Sequence, residues 1–133
     1  MASRKIEDLR EPFRSKVVEF QKKCDVNGLD VLIHCTLRTM EEQHALYAQG
    51  RWTKGKIVTY AMAGNSAHNY GLAIDVCPML NGKPVWNPRD PSYAKMAAIG
   101  KSLGMEWSGD WKRFKEYVHF QEPNWKLLAK ANV

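Results

Sequence analysis

Cysteine is scarce in this chain: Cys24, Cys35 and Cys77 are the only three in 133 residues, and no two are spaced as a Cys-x-x-Cys pair. An odd count without paired spacing argues against a disulfide framework and suits synthesis in a reducing compartment. It also argues against a closed structural zinc module, which more often uses thiolates. Long apolar runs are missing too. Nothing approaches the roughly 18 apolar residues expected of a membrane span. The start, Met1-Ala2-Ser3-Arg4-Lys5-Ile6-Glu7-Asp8, turns acidic and amphipathic where a signal peptide needs an apolar stretch. The expectation is a soluble protein, made in the cytoplasm and not exported by a signal of its own. No internal repeat and no low-complexity tract interrupts the chain, and its basic residues are scattered rather than striped. That scatter speaks against a nucleic-acid-binding domain, so no nucleic-acid partner is expected.

What is present fits one ordinary globular domain, residues 1–133, with 44% hydrophobic and 26% charged residues. Such a length leaves no room for a separate binding module, and a monomer is expected. The formal net charge of +6 favours encounters with polyanions at low salt. Nucleic acid, anionic cell-wall polymers and lipopolysaccharide all answer to that description, and charge does not choose among them.

The spacing of Ile6, Leu9, Phe13, Val17 and Phe20 predicts an amphipathic helix that ends at Asn27-Gly28. Val31 to Leu37 is apolar and partly β-branched, and reads as a buried strand. Thr39 with Glu42 forms a capping box for a helix that ends near Gly50. Gly71 to Val76 is a second strand, and Asn81-Gly82 a hairpin turn into Lys83 to Trp86. Asp90 and Pro91 suit the cap and first turn of a helix running to about Leu103. Glu106 to Asp110 reads as a loop, Tyr117 to Gln121 as a last strand, and Pro123 to Lys130 as a short terminal helix. The sum is a small α+β domain, with helices flanking an antiparallel sheet.

The chemistry concentrates in Asn65-Ser66-Ala67-His68-Asn69-Tyr70-Gly71-Leu72-Ala73-Ile74-Asp75-Val76 and, downstream, Glu116-Tyr117-Val118-His119-Phe120. Catalytic zinc is usually held by three protein ligands with a fourth position open, and a nearby carboxylate can serve as a base. His68, Asp75 and His119 are side chains of the right kind, and Glu116 is the spare carboxylate. Asp75 stands in an otherwise apolar strand, where an unpaired carboxylate is costly. It either binds a metal or pairs with an arginine or lysine. His34 sits in the buried-strand pattern, and His44 lies on a helix with no second ligand at helical spacing. Both are expected to be structural.

Ser66-x-His68-x-x-Gly71-x-Ala73-x-Asp75 followed by Glu116-x-x-His119 resembles the signature of zinc peptidases related to D-alanyl-D-alanine carboxypeptidases and dipeptidases. The likeness is closer still to L-alanyl-D-glutamate peptidases found among phage endolysins, where segments similar to Leu37–Arg51 and to Ile57–Gly64 precede the histidine motif. It covers roughly Val31 to Phe120, with Glu116 where many relatives have aspartate and Ser108 where many have glycine. The resemblance implies a hedgehog/D-Ala-D-Ala-peptidase-like fold and one catalytic zinc held by His68, Asp75 and His119. Glu116 is then the general base, and Arg38 the cation that stabilises an oxyanion or holds a substrate carboxylate. Ser66, Gln43, Tyr70, Trp107 and Asp110 are expected to contact substrate, although Ser66 equally suits a local turn bond and the two aromatics equally suit a core. The implied substrate is the stem peptide of peptidoglycan, cut between L-alanine and D-glutamate, on an anionic wall. The implied setting is a phage lysin held in the host cytoplasm until lysis. Cleavage of D-alanyl-D-alanine with the same site is the rival enzyme reading. A muramidase using paired carboxylates is a further one.

Overall fold

A cross-strand sheet of five short antiparallel strands carries the molecule, and the computed structural model describes it over residues 2–131. The first residue and the last two of the expected domain lie outside the described residues. The strands are β1 (Asp30–Cys35), β2 (Ala73–Leu80), β3 (Lys83–Pro84), β4 (Glu106–Trp107) and β5 (His119–Gln121). Their order is β1-β2-β5-β4, with β3 paired to the far end of β2. Helices α1 (Phe13–Val26), α2 (Met40–Ala48), α3 (Pro91–Ser102) and α4 (Trp125–Ala131) surround the sheet. This is the expected α+β architecture.

Local signals account for most element ends. Thr39 and Glu42 form the reciprocal capping box at the start of α2. Asp90 caps α3, with Pro91 at its first position. Asn81-Gly82 turns β2 into β3. Three expectations are corrected. The predicted first helix is interrupted: a short 3-10 turn, Ile6–Asp8, precedes α1, which starts only after Pro12. Proline has no N–H to give a helix and disfavours helical geometry in the residue before it. The predicted loop at Glu106 instead begins with β4, because Glu106 and Trp107 find partners in Gln121 and Phe120 that only the folded chain supplies.

Gly71 is also not strand. It ends a 3-10 turn, Ala67–Tyr70, in the left-handed region at φ 68°. A Cβ there would lie 3.0 Å from the Asp8 carbonyl oxygen and 3.1 Å from the Arg10 nitrogen. The Arg10 N–H donates to the Gly71 carbonyl at 2.9 Å. Glycine is therefore needed twice over, for its backbone angle and for the close approach of residues 8–10.

One face of the sheet meets the core. Ile74, Val76 and Phe120 pack with Phe13, Val17 and Phe20 of α1 and Met96 of α3, all fully buried. The Phe20 and Phe120 rings sit 5.6 Å apart. Buried Glu122, just past β5, accepts two hydrogen bonds from Lys16 of α1, at 2.8 and 2.7 Å. The position a Cβ would take on Gly100 falls on the Phe120 ring, so α3 lies against β5 at a distance only glycine allows. Gly100→Ala is expected to destabilise the protein by about 1–3 kcal/mol through this overpacking. The check is a lower urea midpoint with an unchanged slope; an unchanged midpoint would mean that the helix moves away at no cost.

Candidate metal centre

The sheet face opposite the core holds the chemistry, and strand register places it there. Cys35, Asp75 and His119 are direct cross-strand partners over β1, β2 and β5, so their side chains share one face. His68 arrives from outside the sheet, on the 3-10 turn Ala67–Tyr70. Ser66 caps that turn, its hydroxyl accepting from the His68 N–H at 3.3 Å. Buried Asn69 pins the turn to neighbouring backbone: its amide donates to the Arg38 carbonyl at 2.9 Å and accepts from the Gly64 N–H at 3.0 Å.

His68 Nε2 and His119 Nδ1 each lie 3.2 Å from the same oxygen, Oδ1 of Asp75. Both ring nitrogens thus meet one carboxylate oxygen, and both rings are almost fully buried; the donors form two groups that share Asp75, one with Cys35 and His68 and one with Glu116 and His119. The other nitrogen of each ring is engaged. His68 Nδ1 donates to the Thr36 carbonyl at 2.9 Å, and His119 Nε2 lies 2.8 Å from Gln121 Oε1. Glu116 is exposed, yet its carboxylate falls within 4.8 Å of donor atoms of Asp75 and His119. Cys35 also lies near His68 and Asp75. Its sulfur, however, approaches His68 at Nδ1, 3.7 Å away, the nitrogen that already serves Thr36.

The electrostatics are those of a site built around a positive charge. Burial alone would lower the His68 pKa, but the charge and hydrogen bond of Asp75, with Cys35 beside it, push it up to about 10. Burial alone would raise the Asp75 carboxyl; the charge of His68 and bonds from His119 and His68 hold it well below the ordinary carboxylate range. Two imidazoles and a carboxylate with converging lone pairs fit a borderline divalent ion such as zinc.

Arg38 belongs to the same cluster. Its Nη2 lies 3.8 Å from Asp75 Oδ2, so the arginine partner that the sequence offered Asp75 as the alternative to a metal is present. Gln43, fully buried, accepts from Arg38 Nη1 at 3.0 Å and donates to the Ala61 carbonyl at 2.7 Å. It supports Arg38 and the 59–61 backbone rather than facing an open cleft. The remaining expected contacts are engaged in structural bonds. Tyr70 donates to the Gly64 carbonyl at 2.8 Å and stacks on Trp125. Trp107 donates to the Tyr117 carbonyl at 2.9 Å. Asp110 is exposed and paired with Lys101 at 2.9 Å. His34 packs edge-on against Trp86, and exposed His44 stacks on Trp52; neither joins a metal-binding group among the described residues.

Three contributors escape the sequence reading: the Thr36 carbonyl, Asn69 and Gln121. Only Gln121 left a signal, since it stands two residues after His119 on a strand and so shares its face.

Comparison with known proteins agrees with this geometry. Residues 59–122 match the peptidase family described as D-alanyl-D-alanine carboxypeptidase, a segment that contains His68, Asp75, Glu116 and His119. A peptidoglycan L-alanyl-D-glutamate endopeptidase of Bacillus subtilis is 45% identical over 102 residues, covering 71% of this chain and 61% of that protein. An L-alanyl-D-glutamate peptidase of a Listeria phage is 38% identical over 97 residues, covering 71% of this chain and 31% of that protein. The chain therefore spans about three fifths and about a third of these two relatives. The crystal structure of an L-Ala D-Glu endopeptidase of Serratia marcescens shares the fold, with a TM-score of 0.67 and 21% identity over 92% of this chain and 88% of that one.

Saturating zinc is expected to raise the unfolding temperature, because an ion bound only by the folded state at a hundredfold its Kd adds about 2.7 kcal/mol. His68→Ala should abolish that rise. Calorimetry of both proteins with and without zinc is the check; an equal rise in the variant would remove His68 from the ligand set.

Proposed function

On the match of residues 59–122 to the D-alanyl-D-alanine carboxypeptidase family and the 45% identity to the Bacillus endopeptidase, we propose that the chain is a zinc-dependent endopeptidase of that family. Its substrate is the peptidoglycan stem peptide, cut between L-alanine and D-glutamate. The observation that carries the reading is the convergence of His68 Nε2 and His119 Nδ1 on Asp75 Oδ1, with the free carboxylate of Glu116 beside them. The identity to the Bacillus endopeptidase supports the choice of bond, and the net charge of +6 suits an anionic wall. The phage relative supports a lytic role in which the protein waits in the host cytoplasm and then acts on the wall. No helix among the described residues is long and apolar enough to cross a membrane.

His68, Asp75 and His119 hold the zinc, which when bound supplies a Lewis acid that brings the pKa of water toward neutrality. Glu116 takes the proton of the attacking water and passes it to the departing amine as the C–N bond breaks. Exposure suits that task, since the carboxylate must reach water and substrate. Arg38 stabilises the negative charge that develops on the scissile carbonyl oxygen, or holds a substrate carboxylate. Gln43 fixes its guanidinium. Ser66, Tyr70, Trp107 and Asp110 stay proposed substrate contacts, in addition to the bonds each already makes.

Glu116→Gln is expected to bind zinc like the wild type and to lose about 10²- to 10⁴-fold in turnover. Purified peptidoglycan digested with each protein and analysed by mass spectrometry checks both halves of the proposal. Fragments with a new D-glutamate amino terminus support the assigned bond. Released D-alanine would move the cut to the D-alanyl-D-alanine bond, and reducing sugar insensitive to chelator would indicate a muramidase. Wild-type turnover in Glu116→Gln would remove Glu116 as the base.

A further inference from the structure

We propose that the cross-strand pair Glu106 and Gln121 selects the tautomer of His119, making Nδ1 the nitrogen that meets the metal; this rests on the reading of His68, Asp75 and His119 as zinc ligands. Gln121 lies two residues beyond His119 on β5 and therefore on the same face. Its direct partner across the sheet is Glu106 of β4. The register that sets Asp75 opposite His119 thus also sets a carboxylate opposite Gln121.

The direction of each hydrogen bond follows from what each group can do. A carboxylate only accepts. Glu106 Oε2 accepts from the Trp111 indole N–H at 2.7 Å, which fixes it, and the Gln121 amide nitrogen lies 3.5 Å from the same oxygen. With its nitrogen turned to Glu106, the Gln121 amide presents its oxygen to His119 Nε2, 2.8 Å away. An amide oxygen cannot donate, so it holds the ring proton on Nε2 once a cation replaces the hydrogen bond between Nδ1 and Asp75 Oδ1. Nδ1 then turns its lone pair to that cation. Turning the amide around would set its oxygen against the Glu106 carboxylate, two acceptors face to face. His119 and Gln121 are both buried, at 7% and 8% exposure, so water does not readily replace the missing partner.

The two histidines are therefore oriented by different means. His68 relies on a main-chain carbonyl, that of Thr36, which no substitution at position 36 other than a change of backbone path removes. His119 relies on a side chain, and its orientation can be lost without touching a ligand. Gln121 and Glu106 are positioning residues: neither points at the shared metal point, and both act through His119. Groups in such places commonly change metal affinity by about ten- to a hundredfold.

The experiment combines two readings. Histidine-ring ¹⁵N correlation NMR of the zinc-loaded wild type reads which nitrogen of His119 carries the proton and which meets the metal. Competition with a chromophoric chelator reads the zinc Kd of the wild type, Gln121→Met and Glu106→Gln. The expected result is a proton on Nε2 in the wild type and zinc binding weakened about ten- to a hundredfold in Gln121→Met. A smaller loss and a mixed tautomer are expected in Glu106→Gln, where the amide of Gln121 is free to turn. A wild-type proton on Nδ1, or wild-type zinc affinity in both variants, would overturn the proposal while leaving the ligand set intact. Absence of zinc binding by the wild type would instead overturn the ligand reading on which it rests. Should Gln121→Met fail to fold, the wild-type spectrum and Glu106→Gln decide alone.

Discussion

The pairing of β2 with β5, in which Asp75 stands directly opposite His119, is the constraint on which the candidate site depends. Side chains alternate across a strand, so a slip of one residue would turn one ligand into the core and leave the other on the outer face. What prevents the slip lies on the opposite side of the sheet. Ile74, Val76 and Phe120 are fully buried against α1 and α3, and moving them to the polar face would forfeit their burial. Apolar packing fixes the register, and the register fixes two of the three ligands. The third is delivered by a capped 3-10 turn that Gly71 closes and Asn69 pins. The candidate ligands are thus arranged by the fold itself, which is how a site avoids reorganisation when it acts.

Around this frame, charge is distributed by depth. Asp75 is close to both rings and to Arg38, and a carboxylate so placed needs positive charge nearby. Arg38 and the two imidazoles stand in that place, and a bound divalent ion would add to it. Glu116 stays at the rim, exposed, where a base can exchange its proton. The segment leading to Glu116 is tied to the long 51–64 connection by Tyr60 and Phe114, whose rings lie 4.5 Å apart although both are exposed. Phe114 has a left-handed backbone, with φ 56°, a costly conformation for an aromatic residue that its surroundings must hold in place. That contact links the placement of the base to the same connection whose backbone Gln43 grips.

Features whose causes are local were legible in the sequence. The capping box of Thr39 and Glu42, the Asp90-Pro91 helix start and the Asn81-Gly82 turn involve neighbours in the chain, and each appears where its residues indicated. The gathering of His68 and His119 around Asp75 was legible because few side chains bind zinc and their spacing resembles a known signature. What depends on distant partners was not. β4 exists because β5 lies beside it, Gly71 is required by residues 8–10, and the Thr36 carbonyl has no side-chain signature at all. Gln43, Tyr70 and Trp107 carry the composition of a binding cleft, but polar atoms near a buried site must first be satisfied. Their hydrogen bonds go to Arg38 and to loop carbonyls. Glu106 became visible only when the register placed it opposite Gln121.

Zinc K-edge X-ray absorption on the zinc-loaded protein tests the ligand set most directly. Ligation by His68, Asp75 and His119 predicts a first shell of nitrogen and oxygen only, with the multiple scattering of two imidazoles. A sulfur scatterer at about 2.3 Å, the length of a zinc–thiolate bond, would mean that Cys35 binds the ion and would contradict this account of the site.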